Sequence, residues 1–233
     1  LEFGDGKLMG EIIERYPDGE RLIRFSCDGD FFDVLNDVGH VPLPPYISRS
    51  DGVDDRDRYQ TVYAKERGAV AAPTAGFHFT PELLKKISDK GVITAEITLH
   101  VGLGTFQPIK VKDIREHKMH SEFIVLSQKT ADLINETKTK GKRIVAVGTT
   151  TVRTLESVGY PAKEFSGFTG IFIYPPYSYK VVDCIITNFH LPGTSLIVMI
   201  SAFAGRDMVL KAYSHAVSER YRFYSYGDSM LIK

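Results

Sequence analysis

Residues 127–157 read SQKTADLINETKTKGKRIVAVGTTTVRTLES, and along that stretch one periodicity gives way to another. Ser127 to Lys140 has the spacing of an amphipathic helix, Gly141 ends it, and Arg143-Ile144-Val145-Ala146-Val147 is the apolar run of a buried strand. Small and hydroxyl residues, Gly148-Thr149-Thr150-Thr151, follow at once, with a turn or helix after them. The same alternation extends outward. Thr80-Pro81-Glu82 opens a helix with a capping hydroxyl and a proline in the first turn, Leu83, Leu84 and Ile87 give it an apolar face, and Gly91 stops it. Val92 to Val101 alternates like a strand, and further strands are expected at Ile171–Tyr174 and Val181–Thr187. An apolar strand or helix then begins at Ser195, and a helix spans Met208 to Tyr221. The expected fold class is mixed α/β, with a main domain of mixed sheet or barrel and flanking helices, its strand order left open.

The front of the chain differs. Two strand-like runs, Leu8–Ile13 and Arg21–Phe25, flank Pro17-Asp18-Gly19, which predicts a β-hairpin. Phe31 to Val38 has room for one or two helical turns, and the prolines at 42, 44 and 45 keep Val41–Tyr46 extended. A boundary near residue 36 therefore separates a fragment at 1–35 from a main domain at 36–233. At 233 residues, 43% hydrophobic and 25% charged, the chain has the composition of a globular protein with a sizeable core. Its longest apolar run, Leu196–Phe203, is interrupted by Ser201 and falls short of the ~20 residues that span a bilayer. Cys27 and Cys184 lie far apart without CxxC spacing, which suits a reducing cytoplasm. The opening Leu1-Glu2-Phe3 has no features of a signal peptide and reads as a start cut into mid-domain. Lys plus Arg equals Asp plus Glu at 29 each, so any surface that attracts nucleic acid must be local.

Five segments are richer in Gly, Pro, Thr, His and Asn than loops require: 68–79, 99–106, 116–122, 147–157 and 187–195. Three of them share one design, in which a strand-like run enters small or hydroxyl residues whose amides and hydroxyls can hold a carboxylate, ribose or phosphate. In any one segment helix caps and turns are the better explanation of the composition; five together shift the balance toward a ligand. Gly102-Leu103-Gly104 lacks the third glycine of a dinucleotide fingerprint, and no GxxxxGK occurs. His78, His100, His117, His120 and His190 all fall in these segments. His117 and His120, three apart, make a zinc-type site with His100 or His190 conceivable, but HxxH without its glutamate is a weak signal. The aromatic groups Tyr174/Tyr177/Tyr179 and Tyr221/Phe223/Tyr224/Tyr226 can stack bases or line a core edge, the better reading for most of them. The basic run Lys138, Lys140, Lys142, Arg143 serves RNA or a helix C-terminus equally well.

These same segments closely resemble the S-adenosylmethionine:tRNA ribosyltransferase-isomerase family. The matches run in family order from about residue 36 to the end. They include Gly39 to Ile47, Tyr59 to Ala64, Ala72-Pro73-Thr74-Ala75-Gly76 with His78-Phe79, the His100 loop to Thr105-Phe106-Gln107-Pro108, and Met119-His120-Ser121-Glu122. They continue through Gly148-Thr149-Thr150, Val152-Arg153, Leu155-Glu156-Ser157, Ile171 to Pro175, Tyr179 to Asp183, Thr187 to Pro192, Tyr221-Arg222-Phe223 and Ser225-Tyr226-Gly227-Asp228. The family also carries an N-terminal part with an Asn-Thr-Arg segment that has no counterpart here. By the same resemblance, residues 1–35 look like the tail of the family's small inserted β-barrel domain, the join from Ser157 to Pro161 is short, and the chain is expected to be part of a longer protein.

The resemblance implies transfer and isomerisation of the ribosyl group of S-adenosylmethionine onto 7-aminomethyl-7-deazaguanine in tRNA, giving epoxyqueuosine-tRNA with release of adenine and methionine. S-adenosylmethionine is then a consumed substrate, with no resident cofactor and no metal, and the enzyme is expected to be a cytoplasmic monomer without a membrane anchor. His100 and His190, each in a loop shaped by glycine or proline, are the candidates for proton transfer. Thr149, Thr150 and Arg153 are candidates for the methionine carboxylate or an RNA phosphate, and Glu122 for the methionine ammonium. Thr74, Gly76, His78, His120 and Asn188 complete the expected substrate-binding set, while His40 is read as structural. Two rival readings remain: a metal-dependent hydrolase built on His100, His117 and His120, and a non-catalytic tRNA-binding protein.

Overall fold

Side-chain oxygens decide where several helices begin. In the computed structural model, which describes residues 1–16, 19–102 and 108–233, Asp30 accepts from the amides of Phe32 and Asp33 and opens α1 (Phe31–Val38). Thr80 accepts from Leu83 N–H to open α3 (Pro81–Asp89), and Ser127 from Thr130 N–H to open α4 (Gln128–Thr139). A short helix, α2, spans Asp55–Arg58. The others are α5 (Thr149–Val158), α6 (Ser195–Ala204) and α7 (Arg206–Ser218), which completes seven α-helices among the described residues.

Three small sheets accompany them, so the mixed α/β class holds, and no closed barrel forms among the described residues. The first is antiparallel: β1 (Glu2–Phe3), β2 (Leu8–Arg15) and β3 (Arg21–Cys27). It contains the expected hairpin, though Pro17 and Asp18 of the turn lie outside the described residues. The expected boundary near residue 36 falls inside α1. The second sheet is antiparallel in the order β4 (Thr98–His100), β5 (Glu122–Leu126), β7 (Phe165–Thr169). In the third, β6 (Val145–Val147) runs parallel to β8 (Cys184–Asn188), with β9 (Ser229–Ile232) antiparallel on the far side of β8.

Three expectations need correcting, and one left open between strand and helix is decided. Ile171–Tyr174 joins no ladder: Ile173 is buried in the core, and an apolar run looks the same whether it pairs or only packs. The strand of that region is β7, just upstream. Of Val92–Val101 only Thr98–His100 pairs, because β4 has partners only at Phe123–Val125, and Val92 and Ile93 stay exposed. The apolar segment from Ser195 is the helix α6, and the last helix is Arg206–Ser218 rather than Met208–Tyr221.

Leu126, Ile134, Val152, Leu155, Ile185 and Met199 meet in the core between the second and third sheets and α4, α5 and α6. Burial of each large side chain contributes about 1.5–3 kcal/mol. Glu156 is also buried, and it joins elements: its carboxylate accepts from the amides of Lys180, Val181 and Val182 at 2.9–3.0 Å and from Tyr177 Oη at 3.1 Å. Asn135 clamps the short join after α5 through both atoms of its amide, donating to Ala162 O and accepting from Ala162 N, each at 2.8 Å.

Candidate functional site

The parallel pairing of β6 with β8 positions the site. Each strand is followed directly by a helix, β6 by α5 after Gly148 and β8 by α6 after the loop 189–194, so both helices start beyond the carboxyl ends of neighbouring parallel strands. Gly148 makes that turn at φ +88° while its amide donates to Ile186 O at 2.8 Å. Between the two helix starts lies a cleft of about 670 Å³, counting the part open to solvent. Gly148, Thr149 and Thr150 line it from α5, Thr194 and Leu196 from α6, and Asn188 and His190 from the end of β8. Ala71, Ala72, Pro73, Ala75 and Val101 supply apolar lining, with Thr74 among them, and Tyr46, Tyr224 and Ser225 complete it.

The electrostatics follow from what is missing at the helix starts. Among α-helices of eight residues or more, only α5 and α6 have neither a side-chain cap nor an acidic residue in the first turn. Thr194 turns its hydroxyl to Leu191 O instead. Two sets of uncapped amides, carrying the positive ends of two helix dipoles, therefore face one cleft that no charged side chain lines among the described residues. Asn188 adds an acceptor. It is 2% exposed, and its Nδ2 donates to Tyr224 O at 2.9 Å and Ser225 O at 3.3 Å, which leaves Oδ1 buried without a partner.

His190 sits at the cleft floor. Its Nε2 shares a 2.9 Å hydrogen bond with Thr187 Oγ1, and its amide donates to Tyr213 Oη at 2.7 Å. Burial lowers its pKa from 6.5 to about 4, so the ring is neutral at pH 7 and accepts or donates a hydrogen bond without first losing a proton.

Of the residues expected from sequence, Thr74, Thr149, Thr150, Asn188 and His190 are gathered at the cleft. His100 is not among its lining residues: its ring packs 6.0 Å from Phe123 and over Gly68, while the next residue, Val101, faces the cleft. The remainder of the His100 loop, 103–107, lies outside the described residues. Gly76 belongs to the short 3-10 turn Thr74–His78, where any side chain at 76 would run into Tyr63 Oη and Thr61. His78, at the end of that turn, has a buried Nε2 without a partner. Glu122 and Arg153 pair with each other, each 3% exposed, between β5 and α5, and neither lines the cleft. Arg153 Nε and Nη2 remain buried without partners. His120 lies with His117 in a separate hollow. Among the described residues no group of three or more His, Cys, Asp or Glu is arranged to hold a metal, and His100 is not with His117 and His120.

Tyr46, Thr187, Thr194 and Ser225 also line the cleft, though sequence reasoning gave them no individual role. Thr187 was within reach, since it stands three residues before His190 at the end of the same strand. Tyr46 and Ser225 share a hydrogen bond across 179 positions, which no local pattern discloses. Of the aromatic groups, Tyr177 and Tyr179 pack against the core, their hydroxyls donating to Glu156 and Met199 O, while Tyr224 lines the cleft and Tyr221 is exposed. The basic run is half neutralised, Lys138 by Asp183 and Lys140 by Glu136.

An α/β protein with paired helix starts over a neutral, partly apolar cleft has the geometry to accept a small ligand with an anionic end. Residues 1–232 match the family model described as queuosine biosynthesis protein, and the chain belongs to that family. It is 55% identical over 236 aligned residues to the S-adenosylmethionine:tRNA ribosyltransferase-isomerase of Clostridioides difficile strain 630, covering 100% of this chain and 69% of that protein. A crystal structure of S-adenosylmethionine tRNA ribosyltransferase from Thermotoga maritima is similar with a TM-score of 0.58 at 37% identity, covering 97% of this chain and 62% of that one. The chain thus spans about two thirds of the length of the relatives it matches. No helix among the described residues is long and apolar enough to cross a membrane.

Proposed function

We propose that the chain carries the S-adenosylmethionine cleft of a tRNA ribosyltransferase-isomerase, which moves the ribosyl group onto 7-aminomethyl-7-deazaguanine in tRNA and yields epoxyqueuosine-tRNA, adenine and methionine. The observation that carries this reading is the convergence of two uncapped helix starts on a cleft without charged side chains. S-adenosylmethionine ends in an amino acid whose carboxylate matches the amides at Thr149, Thr150 and Ser195 and whose ammonium matches the unpaired Oδ1 of Asn188. The apolar lining supplied by Ala71, Ala72, Pro73 and Ala75 suits the adenine. Membership in the queuosine biosynthesis family and the 55% identity to a named enzyme support the same assignment.

The sulfonium acidifies the neighbouring C5′ hydrogen, so the reaction needs a base there, a donor for departing adenine and a seat for the attacking amine. His190, neutral and in the cleft, takes the part of proton carrier, with the Thr187 hydroxyl orienting its ring. His100 remains a second candidate from beyond Val101. In this reading S-adenosylmethionine is a substrate rather than a cofactor, no metal takes part, and the protein works in the cytoplasm as a monomer.

The test incubates the full-length protein with S-adenosylmethionine and tRNA bearing 7-aminomethyl-7-deazaguanine, following the modified nucleoside and free adenine by mass spectrometry. Epoxyqueuosine and adenine in equal amounts are expected. A folded protein that binds the tRNA but forms neither would overturn the assignment in favour of a binding module.

A further inference from the structure

A second hollow, of about 520 Å³ counting its open side, lies where the segment 108–111 meets 117–120. Its polar lining is Lys110, His117, Lys118 and His120, and no carboxylate lines it among the described residues. Lys110 and Lys118 are exposed and form no ion pair among the described residues, whereas nearby Asp113 is occupied by Arg115 at 2.5–3.0 Å. His117 is half-buried and fixed: its amide donates to Ile114 O, and its ring stands edge-on to Phe172 at 4.9 Å, with Tyr174 a further 5.1 Å away. Two such lysines and two imidazoles, beside an aromatic pair, form the kind of surface that receives a polynucleotide backbone with a base stacked alongside.

The position of the hollow relative to the cleft narrows the ligand. Ile109 N–H donates to Gly193 O at 2.8 Å, so the wall of the hollow is joined to the 191–194 loop whose Leu191 and Thr194 line the cleft. We propose that this hollow is a phosphate subsite for the RNA strand, holding the backbone next to the nucleotide presented to the cleft through Lys110, Lys118 and His120. The proposal rests on the assignment of tRNA as substrate and adds the strand's path to it. It also accounts for how a chain of zero formal net charge engages RNA, by concentrating cations beside the site.

The test measures tRNA affinity across a salt series for the full-length protein, a Lys110→Ala/Lys118→Ala variant and a Lys85→Ala/Lys86→Ala control that removes equal charge from α3. The first pair should weaken binding at least tenfold and reduce the slope of log affinity against log salt by about one to two. The control should do neither, and S-adenosylmethionine binding measured by calorimetry without RNA should be unchanged in both. Equal slopes for wild type and the Lys110/Lys118 variant would overturn the subsite, as would an equal loss in the control. Saturation of the His117 and His120 resonances by micromolar inorganic phosphate would mark a free-anion site and likewise overturn the RNA assignment. A wild-type protein that ignores tRNA altogether would overturn the function reading along with it, whereas a flat result in the variant alone leaves that reading standing.

Discussion

Asn188 performs two tasks with one amide. Its Nδ2 holds the carbonyls of Tyr224 and Ser225 against the end of β8, and its Oδ1 is left for a ligand. A hydrogen bond to a charged partner contributes about 1.5–3 kcal/mol, so Asn188→Ala should raise KM for S-adenosylmethionine roughly ten- to a hundredfold with a smaller change in kcat, read from steady-state kinetics. His190 makes a separate prediction about stability. Its pKa is about 4 in the folded protein against an ordinary 6.5, so as pH falls below about 6.5 the unfolded chain takes up a proton that the folded one does not. Stability from this residue is therefore complete above that pH and declines as pH falls toward 4. Urea midpoints measured between pH 4 and 7 should fall with acidity in the wild type and fall less in His190→Gln.

Among the elements, those with local causes were legible in the sequence. Thr80 and Ser127 start α3 and α4 where a hydroxyl before an apolar period says they should, and Ser127→Ala should cost about 1 kcal/mol in urea unfolding. β5 was not legible because a buried charge interrupts its apolar alternation: Glu122, Ile124 and Leu126 are all buried, and Glu122 pairs there with Arg153. The cleft divides the same way. Thr149, Thr150, Asn188 and His190 were readable because each follows a strand-like run, whereas the misplacement of His100 reflects a single step along the chain, Val101 facing the cleft in its stead. Glu156 and the three amides it binds each stand in a stretch that resembles the family, but they lie more than twenty residues apart and no local pattern pairs them. Removing it leaves those donors buried and unsatisfied, so Glu156→Ala should destabilise by roughly 3 kcal/mol or more, several times the effect of the Ser127 cap.

Across the whole molecule the early and late parts of the chain interlock. Asp55 is buried under Arg49, which donates to both its oxygens at 2.6 and 2.9 Å, and it also accepts from Gly52 N–H and Tyr226 Oη. These donors, Arg49 first, hold its carboxyl well below the usual carboxylate range. The stability it supplies is present above the ordinary carboxylate pKa and is lost as pH falls through and below it. Asp55→Asn should accordingly lower the melting temperature at pH 7 and narrow the gap to wild type below about pH 4.

The hydrogen bond between Tyr46 and Ser225 has a consequence for folding order. Contacts that close a loop of 179 residues carry a large entropic cost and form only after nearer ones have made the ends meet. A partly folded chain can therefore present β6, β8 and both bare helix starts while the Tyr46 and Ser225 side of the cleft is still open. Ligand held by the closed cleft then acts on the exit from the native state: it slows unfolding and leaves the rate of refolding nearly untouched.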